Sequence, residues 1–111
     1  MLDWLRTNAK ALTSAEQRRL RREVERPDHP LRSIVERRLD RMAESDPKFD
    51  PADMGVEHKR EFAKYCLQEL RKSDPRYRSI GLMILLWALQ ATVIHFVMQW
   101  WKRREERNKP T

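Results

Sequence analysis

The sequence predicts an all-α protein in which amphipathic N-terminal helices precede one C-terminal transmembrane helix. Three observations predict it. Residues 79–101 contain no Asp, Glu, Lys or Arg and consist mostly of Leu, Ile, Met, Val and Trp. The remainder is so polar that the mean hydropathy of the whole chain is still −0.88. Only two glycines and six prolines punctuate it, and apolar residues recur at intervals of three and four with no extended period-two alternation. The chain therefore divides into a soluble amphipathic helical region, residues 1–78, a transmembrane helix, residues 79–101, and a basic polar tail, residues 102–111.

Residues 1–12 place Leu2, Leu5, Ala9 and Leu12 on one helical face, with Arg6 and Lys10 beside it and Trp4 at an edge. This short segment is basic, as a mitochondrial address helix would be, although Asp3 departs from that pattern and no apolar secretory core is present. A plain docking helix is the other reading. Thr13, Ser14, Glu16 and Gln17 then form a capping box in either register, because a hydroxyl and an acid or amide three residues later satisfy each other's backbone donors. The helix starting there runs to about Arg26, where Pro27 and Pro30 stop it. Its apolar content is thin, and Arg18, Arg19, Arg21 and Arg22 suit nucleic acid, acidic headgroups or acidic protein surfaces unless Glu23 and Glu25 make this a solvated face.

After Pro30, Leu31, Ile34, Val35, Leu39 and Met42 line one face of a second helix whose other face is charged. Pro47 and Pro51 mark a connector over residues 45–55. A third helix, residues 56–72, carries Phe62, Ala63, Cys66, Leu67 and Leu70 on its apolar side. The second and third helices are expected to pair around a small seam. So small a core gives roughly 3–5 kcal/mol, so this region is expected to complete its folding against a partner or a membrane surface. Asp74 and Pro75 end the third helix, and Ser79 is the expected cap of the span.

A helix of about 22 residues is roughly 33 Å long, enough for a hydrocarbon core of about 30 Å. At 100° per residue, Gly81, Ala88, Thr92, His95 and Gln99 fall within about 60° of one another and form the expected helix-packing stripe. Leu82, Leu86, Leu89, Val93 and Val97 form another sector, suited to lipid or to a bulky helical neighbour. His95 is ionisable, yet His29 and His58 lie outside the span, so structural hydrogen bonding outweighs haem, metal or proton-relay chemistry. Trp100 and Trp101 with Lys102, Arg103 and Arg104 are the expected interface anchors, and the tail is able to prolong the helix by two turns.

The net charge of +7 lies on both sides of the span. Seven basic residues (Lys59, Arg60, Lys64, Arg71, Lys72, Arg76 and Arg78) precede it and five follow it closely, which favours an N-terminal region on the cytoplasmic or matrix side. The single cysteine, Cys66, excludes an internal disulfide and a cysteine-built zinc site. There is no Gly-rich phosphate loop, no His-Glu-x-x-His and no nucleophile with a base at a motif spacing. No catalytic, cofactor-binding or metal residues are therefore assigned, and neither nucleic acid nor a small-molecule substrate is expected.

The run Val93, Ile94, His95, Phe96, Val97 and Met98, followed by aromatics, resembles the end of the span in a single-pass accessory subunit of the distal membrane arm of mitochondrial NADH:ubiquinone oxidoreductase, respiratory complex I. Residues 13–26, an Arg- and Leu-rich helix before proline, are similar in style to the N-terminal region of that subunit. The resemblance covers about a third of the chain. It implies a non-catalytic subunit of the mitochondrial inner membrane with its N-terminal region in the matrix, supporting assembly and stability of a respiratory electron-transport complex through contacts with other subunits and with membrane lipids. The alternatives are a tail-anchored membrane adaptor, a subunit of an ATP-synthase membrane region and a small phage or bacterial envelope protein.

Overall fold

A computed structural model describes residues 13–108, so the amphipathic segment expected at residues 1–12 and the last residues of the tail lie outside it. The described chain is all-α: α1 (Ser14–Val24), α2 (Pro30–Ser45), α3 (Val56–Ser73), the single turn α4 (Pro75–Arg78) and α5 (Leu82–Asn108), with a 3-10 turn at Pro51–Asp53. α5 is the long apolar helix, and by length and composition it is able to cross a membrane.

Local chemistry sets the helix ends. The Thr13 hydroxyl accepts the Glu16 N–H at 3.2 Å and caps α1. Pro30 opens α2 at a position where a missing N–H costs nothing. Asp74 closes α3 and, through a carboxylate that accepts the Arg76 N–H at 3.0 Å, opens α4. Ser79 ends α4 and does not cap α5; its hydroxyl donates to the Arg76 carbonyl, and α5 begins only at Leu82. α5 runs without a break through residues 102–108, the continuation into the tail that the sequence permits.

The seam between α2 and α3 is not left open. Leu31, Ile34, Val35 and Leu39 of α2 and Phe62, Ala63, Cys66, Leu67 and Leu70 of α3 share one core with Leu85, Leu86, Leu89, Val93, Phe96 and Val97 of α5. Leu20 and Val24 of α1 close one side of it. The part expected to finish folding against a partner thus finishes it against the chain's own C-terminal helix. Fully burying each leucine or phenylalanine here is worth about 1.5–3 kcal/mol, which a two-helix seam could not supply in sufficient number.

α2 and α5 run in the same sense. His29, at the start of α2, meets Tyr77, just before α5, whereas Asp40, near the end of α2, accepts the indole N–H of Trp100 at 3.0 Å. The short connectors place α3 antiparallel to both. Between α2 and α5, the Arg32 guanidinium lies 5.0 Å from the centre of the Phe96 ring, and Glu36 pairs with Arg103.

Candidate membrane interface

A helix that is apolar on every side can be covered on every side, and α5 is covered on only one. Buried residues Leu85, Leu86, Leu89, Val93, Phe96, Val97 and Trp100 face the bundle. On the opposite side, Met83, Trp87, Ala91, Ile94, Met98 and Trp101 fall within a sector of about 80°. Trp87 is 71% exposed, Met83 62% and Met98 50%. Elsewhere among the described residues only Val56 and Tyr65 are large hydrophobic residues left exposed, and neither belongs to a continuous strip. From residue 83 to residue 101 the strip is about 27 Å long.

The residues expected to form the packing stripe lie along the border between these two faces. Ala88 and Thr92 are buried, Gly81 and Gln99 are half-buried and His95 is exposed. The Ala88 carbonyl also accepts Arg21 Nε of α1 at 3.1 Å, a close approach that the small side chain permits. The His95 side chain makes no hydrogen bond within the described residues. Leu86, Leu89, Val93 and Val97 are all buried against α1, α2 and α3, the bulky-neighbour alternative for that sector.

The residues read as interface anchors are likewise divided. Trp100 is turned inward to Asp40, and Arg104 stacks over it, 5.2 Å from the ring centre. Arg103 is tied to Glu36. Trp101 is half-buried at the end of the apolar strip, and Lys102 beside it is exposed.

Sequence reasoning missed a second polar assembly, which holds the start of α5 in place. The Leu31 N–H donates to His29 Nδ1 at 3.2 Å, so the ring proton is on Nε2, which donates to the Tyr77 hydroxyl at 2.9 Å. That hydroxyl donates to Glu23 Oε1 at 3.2 Å, and Arg76 pairs with the same carboxylate at 3.2 Å. Three segments are joined here: the end of α1, the first turn of α2 and the turn before α5. Burial lowers the His29 pKa below 6.5, against the opposing pull of Glu23, Asp74 and Asp28. Burial, with the Glu23 charge, raises that of Tyr77, and the Arg76 hydrogen bond lowers that of Asp74. The residues involved are 48 and 54 positions apart, and no local pattern connects them.

A cleft of about 430 Å³ between α2 and α3 is floored by Met42, Phe49, Met54, Phe62 and Tyr65 and rimmed by charges of both signs. Among the described residues no three His, Cys, Asp or Glu side chains converge as a metal site. Cys66 is buried, and desolvation pushes its thiol up to about 12, which is the chemistry of a core residue.

Comparison with known protein families, with curated proteins and with solved structures finds no match to this chain.

The covered face of α5 has a direct consequence for any membrane crossing. α2 and α3 lie along it and expose Arg41, Glu44, Glu57, Arg60 and Lys72 among other charges. Hydrocarbon does not accept such a surface, since each exposed charge at the bilayer centre costs several kcal/mol. The packed bundle and a bilayer-crossing α5 are therefore alternative states, and only the uncovered strip is able to meet lipid while the bundle remains intact.

Proposed function

We propose that this chain is a non-catalytic accessory component of a multisubunit membrane complex, attached through α5 and bracing its neighbours with the charged outer faces of α1, α2 and α3. The observation that carries this reading is the uncovered apolar strip of α5, the one continuous run of exposed large apolar side chains among the described residues. The finer reading is a single-pass subunit of the mitochondrial inner membrane, in the membrane arm of respiratory complex I with its N-terminal region in the matrix. Support for it comes from the resemblance of residues 93–98 and 13–26. In that state α5 exchanges its contacts with α1, α2 and α3 for helices of neighbouring subunits.

Extraction in mild detergent, native electrophoresis and mass spectrometry test the proposal. Co-migration with core respiratory subunits is the expected result, and co-migration with ATP-synthase subunits would keep the accessory role while reassigning the complex. Migration alone, or with soluble trafficking proteins, would overturn it.

A further inference from the structure

We infer that the intact bundle binds the surface of an anionic bilayer with α5 lying in the plane of the membrane, its Met83, Trp87 and Met98 face at the boundary between headgroups and acyl chains. This is the state of the chain before α5 exchanges its bundle contacts for neighbouring subunits, and it does not depend on which complex the chain joins.

Shape, composition and charge converge on that occupant. The strip is narrow and straight, about 27 Å long, and sits on one side of a helix whose other side is fully engaged. An in-plane helix presents such a strip to lipid while its inner face stays packed on α1, α2 and α3, whereas a crossing α5 would have to give up those contacts. Tryptophan, Met and Ile dominate the strip, and Trp87 and Trp101 are the amphipathic rings that favour headgroup depth.

Charge supplies the choice between lipid and another protein. The chain carries +7, and part of that excess lies on the helix packed beside α5. Lys102 borders the end of the strip on α5, exposed and with no ion pair among the described residues, and Glu105 one turn further on is the acid in line with it. α1 and the turn after it contribute Arg18, Arg19, Arg22 and Arg26, which with the paired Glu23 and Arg76 line one solvent-open hollow. Arg21 of the same helix reaches the α5 backbone at Ala88, so this basic helix packs along the flank of α5. Each Lys or Arg near an anionic surface adds about 1 kcal/mol. A second copy of this chain would bring like charge against like charge.

The test is flotation of the full-length protein with vesicles of phosphatidylcholine alone and of phosphatidylcholine mixed equally with phosphatidylglycerol. Expected are binding to the mixed vesicles, release by high salt or alkaline carbonate, and a blue shift of tryptophan emission that Trp87→Phe largely removes. Met83→Glu combined with Met98→Glu should lower binding at least about tenfold while leaving helical content and melting temperature unchanged, and Met83→Leu with Met98→Leu should bind as the parent does. Binding that resists carbonate, with protease protection on both sides of the span, would show α5 crossing the bilayer and overturn the inference. So would the absence of flotation from a protein that dimerises in solution through the same face.

Discussion

The side chain of His29 caps the first turn of α2 with one nitrogen and holds the Tyr77 hydroxyl, 48 residues away, with the other. Because Tyr77 in turn donates to Glu23, one imidazole fixes where α5 starts relative to α1 and α2. The outer strip of α5 is presented from a defined position only because this junction is held.

Removing the hydroxyl should loosen that junction. Tyr77→Phe leaves the ring in place but strips the buried His29 Nε2–H of its acceptor, and the expected loss is about 1–2 kcal/mol. Urea denaturation at neutral pH measures it, with an unchanged slope indicating that the folded state is otherwise intact.

Acid should destabilise the protein through the same histidine. The folded-state pKa of His29 lies below the unfolded value of 6.5, so as pH falls the unfolded chain takes up the proton first. This contribution is complete above pH 6.5 and is lost progressively as pH drops below it, until the folded-state pKa is reached. A protonated Nδ1 also ceases to accept from Leu31. A melting temperature that declines between neutral and mildly acidic pH in the parent, and less steeply in His29→Asn, is the expected pattern.

Filling the close approach at Ala88 should separate α1 from α5. Ala88 is 1% exposed and its carbonyl accepts Arg21 Nε. Ala88→Leu is expected to cost about 1–3 kcal/mol through overpacking, and hydrogen exchange should locate the gain in mobility in α1.

The thiol of Cys66 reports opening of the core. It is buried and raised from 9.0 to about 12, so its thiolate fraction at neutral pH is about a thousandfold lower than that of an ordinary cysteine. Alkylation by iodoacetamide should be negligible in the folded protein and rapid in denaturant. Leu89→Ala, which places a cavity against α2 and α3 at an expected cost of about 2–5 kcal/mol, should raise the native alkylation rate by promoting opening.

Much of this fold is legible in the sequence, for identifiable reasons. Pro30, Asp74 and Pro75 mark helix boundaries through local sterics and capping, and Thr13 with Glu16 marks the start of α1. The period of Leu31, Ile34, Val35 and Leu39 exposes the buried face of α2 directly. What covers α5 is not legible. Its residues are apolar at almost every position, so length and composition satisfy the requirements of a membrane span whether or not other helices lie against it. The thin seam between α2 and α3 was the available signal, since two half-buried stripes need a third apolar surface. The His29 and Tyr77 junction left no such trace, because it depends on distant residues brought together only by the completed bundle.

On a lipid surface, before any assembly with neighbouring subunits, α5 should remain packed on α2 while its outer strip engages the membrane. Glu36 and Arg103 are paired across that interface, so Glu36→Cys with Arg103→Cys, joined by a short bifunctional thiol reagent, tests it directly in membrane-bound protein, with the buried Cys66 shielded from reaction. Intramolecular cross-linking should be as efficient on anionic vesicles as in solution. Cross-linking in solution that disappears on membrane binding would contradict it and show that α5 leaves the bundle to enter the bilayer.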